Sequence, residues 1–152
     1  MNTSEVGISL IKRFEGFRSS PYRCPNDVPT IGYGTTIYPD GRPVRLCDAD
    51  IKEKEAVVFL KSDVSRFEAQ VSKLVTSQLN QNQFDALVSF TYNLGGGALK
   101  RSTLLKKVNI NPCDPSIRTE FEKWVNAGGK KLKGLVIRRN AEGDLYFSQT
   151  EQ

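Results

Sequence analysis

The chain has 152 residues, of which 38% are hydrophobic and 26% are charged, so it can bury a core of its own and is expected to form one domain, or one domain with two lobes. It carries 22 Lys and Arg against 17 Asp and Glu, a formal net charge of +5, and it has no histidine. The lack of histidine excludes Ser-His-Asp and Cys-His hydrolases and removes the usual ligand of zinc hydrolases.

Positive charge is concentrated in the second half of the chain. Between Gly95 and Asn140 there are eleven basic residues against Asp114, Glu120 and Glu122. Such a segment attracts polyanions such as nucleic acid, anionic lipid or cell-wall polymers, although a solvated cationic surface is an equally good interpretation. The basic residues lack interleaved aromatics and any nucleic-acid-binding motif, so nucleic acid is not expected as a partner.

The cysteines and the N-terminal residues indicate the compartment in which the protein is made. Cys24, Cys47 and Cys113 are too few and too scattered for a disulfide framework, which favours synthesis in a reducing compartment. Charged residues interrupt the apolar residues at the N-terminus, so neither a signal peptide nor a membrane span is expected there. There is no C-x-x-C pair, P-loop or dinucleotide-binding pattern, and no metal or other cofactor is predicted.

Residues 2–15 are predicted to form a short helix. Asn2 with Glu5 can cap its N-terminus, and Gly16 weakens its continuation. Glu15 therefore falls at the helix end, next to phenylalanines that can partly strip it of water. Four apolar residues are expected on one helical face: Val6, Leu10, Ile11 and Phe14.

Residues 17–47 contain five prolines and several glycines, which excludes a long helix. Segments 29–38 and 44–46, joined through a turn at 39–41, are predicted to pair as a small antiparallel sheet.

From Asp48 onward the pattern is helical. One long helix is predicted, and a second is expected to be capped by Asn80 with Gln83 and to end at residues 95–97. The long helix carries an apolar stripe at steps of three and four residues: Val57, Leu60, Val64, Phe67, Val71 and Leu74.

Two further helices are predicted near the end of the chain. Asp114 and Pro115 open the first, which is expected to bury Trp124 and to stop at residues 128–129, and the last spans 135–147. Arg138 and Arg139 of that last helix are predicted to hold helices together through carboxylates, with the pairing of one of them to Glu15 as an alternative.

Glu15 is the first candidate for chemistry. A glycosidase needs a proton donor for the leaving oxygen, and a carboxylic acid in an apolar environment can supply it. Glu15 lies between Phe14 and Phe17 in sequence, which suits that role, although a glutamate beside phenylalanine is more often an ordinary surface residue.

The spacing of the residues that follow Glu15 strengthens the hypothesis that Glu15 is catalytic. Glu15 is followed after eight residues by Cys24 and after five more by Thr30, which begins the run Thr30-Ile31-Gly32-Tyr33-Gly34-Thr35. In this pattern the sequence resembles the glycoside hydrolase family of phage T4-type lysozymes, in particular its lambdoid-phage endolysin branch, with the signature E-x8-(D/C)-x5-T. The similarity extends over essentially the whole chain, through residues 79–90, 92–95, 102–105, 124–130, 134–136 and 138–139.

The resemblance implies a fold class and a domain organisation. The fold would be α+β, mainly α, and lysozyme-like, with two lobes in a single catalytic domain spanning 1–152. A small antiparallel β lobe would occupy about 15–50. A long helix would join it to a larger helical lobe of about 51–152, to which the N-terminal helix also belongs.

The resemblance also implies roles for individual residues. Glu15 would be the general acid, while Cys24 and Thr30 would position the attacking water or stabilise the oxocarbenium-like transition state. No metal would take part. Four residues would line the saccharide cleft: Tyr33, Tyr92, Asn93 and Ser102.

The sequence departs from the family pattern at two positions. Cys24 stands where most members have Asp, and Thr35 replaces a histidine. Cys24 can act as a thiolate, as a thiol that holds a water with Thr30, or as a disulfide partner of Cys47. Asp27 is an alternative source of the missing carboxylate, but it stands where the family usually has Gly and is as well explained as a turn former.

The function implied by the resemblance is hydrolysis of the β-1,4 bond between N-acetylmuramic acid and N-acetylglucosamine, with inversion, by an endolysin acting on bacterial peptidoglycan. The alternatives are a lytic transglycosylase that uses Glu15 alone and a non-catalytic cationic wall-binding lysis protein. We expect a monomer without stable membrane insertion, made in the host cytoplasm. It would reach the periplasm and the wall after a holin or a secretion system opens the membrane.

Overall fold

The computed structural model describes residues 1–149, which form an α+β, mainly α chain as the sequence predicts. Two compact units are present: residues Ile8–Arg66, and residues Met1–Gly7 together with the described residues from Phe67 onward. The elements in chain order are α1 (Glu5–Glu15), β1 (Arg18–Arg23), β2 (Pro29–Gly32), α2 (Glu53–Leu74), α3 (Gln81–Leu94), α4 (Gly96–Arg101), α5 (Thr103–Ile110), α6 (Ile117–Glu122), β3 (Asn126–Ala127), β4 (Lys130–Lys131) and α7 (Lys133–Phe147).

Helix α1 begins at Glu5, so the predicted start at residue 2 with a cap from Asn2 is wrong. Two carboxylates hold the residues ahead of the helix instead: the Thr3 amide donates to Glu68, and the Ser4 amide donates to Asp85 at 3.0 Å. Side chains that are distant in sequence thus take the place of a local cap.

The buried face of α1 also differs from the prediction. Ile8 and Ile11 are buried, whereas Val6, which was expected on the inward face, is 57% exposed. The buried positions are spaced by three residues, as a helix requires, but the face is rotated away from Val6.

Strand β2 pairs with the segment before it, so the prediction that segment 29–38 pairs with residues 44–46 is right only in part. β1 and β2 form an antiparallel hairpin in which Tyr22 faces Thr30, with an irregularity between Arg18 and Tyr22. Pro21 lies inside β1 and is tolerated because this two-stranded sheet has edges on both sides. The predicted pairing is kept around residues 36–44, where Ile37 and Pro43 form an antiparallel bridge and the Val44 amide donates to the Thr36 carbonyl oxygen at 2.9 Å.

The predicted apolar stripe of the long helix is confirmed in α2. Leu60, Val64 and Val71 are buried, and the remaining stripe residues are half-buried. The unit Ile8–Arg66 contains a hydrophobic cluster of three buried residues with two half-buried ones packed against them: Ile31, Tyr38 and Val44, with Ile51 and Phe59. Ile31 of β2 belongs to this cluster.

In the other unit, the capping box predicted for α3 is confirmed. The Asn80 side chain accepts from the Gln83 amide at 2.8 Å, and the Gln83 side chain accepts from the Asn80 amide at 3.0 Å. The apolar residues of α3 are buried as expected, and α3 packs against α7.

The prediction that Arg138 and Arg139 join helices through a carboxylate is also confirmed. Both pair with Glu142 of α7, at 3.3 and 3.1 Å respectively. Ser89 of α3 donates a 2.6 Å hydrogen bond to the same carboxylate, and Arg138 donates to the Ser89 carbonyl oxygen at 3.1 Å. The network therefore connects α7 to α3.

Several elements of this unit were not predicted. Helix α3 ends at Leu94 with Gly95 as its C-cap, as predicted, but the short helix α4 that begins at Gly96 and the helix α5 after it were not predicted. Helix α6 ends at Glu122, so Trp124 lies outside it, and Gly128 and Gly129 form the turn between β3 and β4 with φ of +58° and +77°. Among the described residues, no helix combines the length and apolar character needed to cross a membrane.

Candidate active site

Glu15 is the last residue of α1 and is half-buried. The helix stops there because Gly16 adopts a φ of +71°, a conformation that favours glycine, while its N–H still donates to the Lys12 carbonyl oxygen at 2.9 Å. The carboxyl group is therefore presented at a helix terminus.

Tyr22 lies close to both Glu15 and Cys24. Burial raises the pKa of the Tyr22 phenol, the negative charge of Glu15 and that of a Cys24 thiolate raise it further, and Arg18 opposes them. The Arg18 guanidinium carbon lies 4.5 Å from the centre of the Tyr22 ring. Because such charge effects act over short distances, Glu15 and Cys24 share the surroundings of one phenol.

Tyr22 is not among the residues predicted from the sequence, but a signal for it exists. Tyr22 lies within the motif, two residues before Cys24, and residues directly opposite each other in a hairpin share a face. The pairing of Tyr22 with Thr30 across the hairpin, together with the hydrogen bond between Thr30 and Cys24, connects the three residues.

The Cys24 thiol is stabilised toward its ionised form. Burial acts to raise the pKa of this thiol, but hydrogen bonds from the Thr30 side chain and from the backbone of Val28 and Asn26 outweigh it, so the pKa of Cys24 is lowered from its ordinary value. The single proton of the Thr30 hydroxyl can be donated either to the Cys24 sulfur or to the Val28 carbonyl oxygen, which lies 2.8 Å away. Thr30 itself is buried.

The disulfide interpretation of Cys24 is wrong for this structure. Cys24, Cys47 and Cys113 are all free, and the last two are exposed. The Cys24 thiol instead contacts the Asn26 side chain.

Asp27 is a turn former. It has a φ of +68°, its amide donates to the Cys24 carbonyl oxygen at 2.8 Å, and its exposed carboxylate pairs with Arg23 at 3.1 Å. A left-handed turn residue explains why the family usually has Gly at this position.

Thr35, which stands in place of the family's histidine, is fully buried and donates a 2.7 Å hydrogen bond to Asp63 of α2. Burial raises the pKa of Asp63, although the hydrogen bond from Thr35 and the charge of Arg66, 2.8 Å away, act to lower it. Asp63 was not predicted as part of the site. The available signal is a carboxylate close to the apolar stripe of a helix.

Tyr33 is 6% exposed, and its hydroxyl donates to Glu53 at 2.9 Å. Burial, followed by the hydrogen bond and charge of Glu53, raises the pKa of the phenol. The side chain predicted to contact saccharide is thus enclosed by protein.

The other predicted saccharide ligands lie in the second unit. Tyr92 is half-buried on α3 with its ring centre 5.3 Å from that of Phe67 in an edge-on arrangement, and the Asn93 side chain accepts a hydrogen bond from Arg139. Both side chains keep part of their surface accessible.

Ser102 is the N-cap of α5. Its hydroxyl accepts from the Leu105 amide at 3.0 Å and donates to the Leu99 carbonyl oxygen at 2.7 Å, and the side chain is buried. In the part of the chain that the structure describes, no three His, Cys, Asp or Glu side chains are grouped closely enough to hold a metal ion.

Comparison with known proteins identifies the family. Residues 12–142 match the family model described as Phage lysozyme. The chain belongs to the phage lysozyme family. This lysozyme domain is 45% identical to the endolysin of Bacillus phage B103 over 97% of the chain, and it spans 55% of that relative's length. It is 37% identical to the endolysin of Salmonella phage P22, covering 97% of this chain and 99% of the relative.

The lysozyme-like fold predicted from the sequence is confirmed by a solved structure. The endolysin from Escherichia coli O157:H7 phage FAHEc1 matches this lysozyme domain with a TM-score of 0.87 at 38% identity, over 97% of this chain and 94% of the other. Within the domain, Glu15, Cys24, Thr30 and Tyr33 belong to the unit Ile8–Arg66, and the other predicted ligands belong to the second unit.

Proposed function

We propose that the chain is a muramidase of the endolysin type that hydrolyses the β-1,4 bond between N-acetylmuramic acid and N-acetylglucosamine in peptidoglycan. The observation that carries the proposal is the half-buried Glu15 at the end of α1, which shares the surroundings of Tyr22 with Cys24 in a member of the phage lysozyme family.

Glu15 is the proposed general acid. Cleavage of the bond between the anomeric carbon and the bridging oxygen leaves negative charge on that oxygen, so a proton must reach it as the bond breaks. Glu15, half-buried at the end of α1, carries a carboxyl group that can deliver this proton.

Cys24 and Thr30 are the proposed partners of the attacking water. The water oxygen bonds to the anomeric carbon from the face opposite Glu15, which gives inversion, and its proton passes to the Cys24 thiolate. The lowered pKa of the Cys24 thiol supports this role, because it increases the fraction of thiolate near neutral pH. Thr30 orients the same water through its hydroxyl.

Tyr92 and Asn93 are the proposed saccharide ligands, since each keeps accessible surface and carries polar atoms. For Ser102 we propose indirect support of the saccharide site, because its buried hydroxyl is engaged in capping α5. Tyr33 was predicted as a further ligand and is assigned a different role below.

The protein is further proposed to act on the cell wall as a monomer, with no nucleic-acid partner, and to reach the wall after a holin or a secretion system opens the membrane. The similarity to phage endolysins supports the place of action. The test is to express the chain inside bacterial cells with and without a membrane-opening protein. Lysis only when both are expressed would support release through an opened membrane, whereas lysis by the chain alone would contradict it.

The test is a turbidity assay on Gram-negative cells stripped of their outer membrane. Glu15→Gln is expected to abolish clearing, while Glu5→Gln, the same substitution at the other end of α1, keeps wild-type clearing. Mass spectrometry of the products is expected to show reducing ends. Full activity of Glu15→Gln would overturn the proposal, and 1,6-anhydro ends would replace hydrolysis with transglycosylation.

A further inference from the structure

The residues on both sides of Glu15 contact one side chain, that of Tyr33. Lys12, three residues before Glu15, places its ammonium group 5.4 Å from the centre of the Tyr33 ring. Phe17, two residues after Glu15, places its ring centre 5.7 Å from that of Tyr33. Tyr33 therefore holds the chain where α1 ends, on either side of the proposed acid.

Glu53 closes this arrangement. Its Oε1 atom accepts the Tyr33 hydroxyl hydrogen bond at 2.9 Å and pairs with the Lys12 ammonium group at 3.1 Å. The hydrogen bond from Tyr33, followed by that from Lys12, lowers the pKa of the Glu53 carboxyl. Tyr33, Glu53 and Lys12 thus form a closed set of three mutual contacts, which we call the Tyr33 clamp.

The clamp also connects Glu15 to the proposed water site. Tyr33 directly follows Gly32, the last residue of β2, and Thr30 lies in that strand. The path from Thr30 to Tyr33 is a short, buried stretch of backbone. A change in how Tyr33 is held would therefore alter the position of the end of α1 relative to Thr30.

We propose that Tyr33, with Glu53 and Lys12, is a positioning residue that fixes Glu15 relative to Thr30, and that it does not bind saccharide. The inference rests on the proposed role of Glu15 as the acid. Tyr33 is 6% exposed and its hydroxyl is engaged by Glu53, which suits a support and not a sugar contact. Misplacement of a reacting group by about 1 Å can lower the reaction rate roughly a hundredfold, so loss of such a support can strongly reduce kcat.

The chain offers a matched control at Tyr38. This tyrosine is 8% exposed, donates from its hydroxyl to Asp48 at 2.7 Å, and has the Arg42 guanidinium carbon 4.6 Å from its ring centre. Arg42 and Asp48 also pair, at 3.4 Å. Tyr38 thus has the same kinds of contact as Tyr33 within the same unit. Its carboxylate partner Asp48 and its cationic partner Arg42, however, do not lie beside Glu15.

The experiment compares Tyr33→Phe with Tyr38→Phe on soluble glycan strands. Tyr33→Phe is expected to lower kcat roughly tenfold or more with KM changed by less than about twofold, because the ring remains and the loss is one of geometry. Tyr38→Phe is expected to keep both constants. Glu53→Gln, an exposed substitution that leaves the fold intact, is expected to lower kcat in the same sense as Tyr33→Phe.

A structural readout accompanies the kinetics. The Gly16 amide, which closes the last turn of α1, is expected to exchange its hydrogen faster in Tyr33→Phe than in Tyr38→Phe. A rise in KM at constant kcat would make Tyr33 a saccharide ligand and overturn the proposal, as would equal losses in the two tyrosine variants. Glu15→Gln is measured in parallel to distinguish failure of the clamp from failure of the proposed function. If Glu15→Gln is inactive, the results above refute only the positioning role of Tyr33. If Glu15→Gln is active, both the proposed function and the positioning role of Tyr33 are refuted.

Discussion

A Cβ atom on Gly32 would lie 3.1 Å from the Cβ of Ala56, a fully buried residue of α2. Gly32 also has a φ of +67°, in the left-handed region that disfavours side chains. Two independent constraints therefore require glycine at the end of β2. Strand β2 and helix α2 therefore approach closely at this position.

Gly32→Ala is expected to destabilise the protein more than Gly41→Ala. Gly41 has a φ of +91° but nothing within 4 Å of its added Cβ, so its replacement carries the backbone cost alone, about 1 kcal/mol. Gly32→Ala adds overpacking against Ala56, a further cost of about 1–3 kcal/mol. Urea unfolding of both variants measures the difference. Equal losses would mean that α2 moves to accommodate the methyl group.

Elements whose signals are local could be predicted from the sequence. The capping box at Asn80 and Gln83 and the stripe of α2 depend on residues within a turn or two of each other, and both are present. The partner of β2 was misassigned, because short strands carry little pairing information and Pro21 argued against a strand where β1 lies. The start of α1 was misplaced because Glu68 and Asp85 hold the residues before it.

The same distinction applies to the candidate site. Glu15, Cys24 and Thr30 could be named because they fall within one short motif. Tyr33 could be named from the same motif, but its hydrogen-bond partner Glu53 could not, since Glu53 lies twenty residues away on another element. A motif indicates which residues share a site, but the partners that fix their geometry come from the tertiary fold.

Substitutions at Cys24 are expected to separate a proton acceptor from a structural residue. Cys24→Asp should preserve or raise turnover because it supplies a carboxylate, and Cys24→Ala should lower it by roughly a hundredfold, the usual worth of a general base. In the wild type the reaction requires the Glu15 proton and the Cys24 thiolate together, so the alkaline limb of the pH–rate profile is expected to depend on the thiol, whose pKa lies below its ordinary value of about 8.5. In Cys24→Asp this dependence should be lost, since a carboxyl group ionises near about pH 4.

The pH–rate profiles of the three proteins, at saturating soluble substrate, measure this. Equal turnover in wild type, Cys24→Asp and Cys24→Ala would show that position 24 is structural. An unchanged alkaline limb in Cys24→Ala would assign the titration to another group, for which Tyr22, close to both Cys24 and Glu15, is the first candidate.

Asp63 and Asp48 are expected to affect stability with opposite signs as pH changes. Burial raises the pKa of Asp63, so the folded state holds its proton more tightly than the unfolded chain does. The contribution of Asp63 to the free energy of unfolding is then greatest below the pKa that Asp63 has in the unfolded chain. This contribution is lost as pH rises through the pKa that Asp63 has in the folded state. Asp63→Asn keeps an acceptor for Thr35 without the charge, so its stability relative to wild type should increase as pH rises from about 4 to about 7.

Asp48→Asn is the matched control. The hydrogen bond from Tyr38, followed by that from the Arg45 amide, lowers the pKa of Asp48, so its stabilisation is present above the unfolded pKa and is lost as pH falls through the folded pKa. Relative to wild type, Asp48→Asn should therefore be less stable at neutral pH, with the deficit shrinking on acidification. Urea unfolding across this pH range measures both variants. If the stability of both variants relative to wild type changes with pH in the same direction, burial does not dominate the titration of Asp63. In that case its hydrogen bond from Thr35 and its ion pair with Arg66 dominate instead.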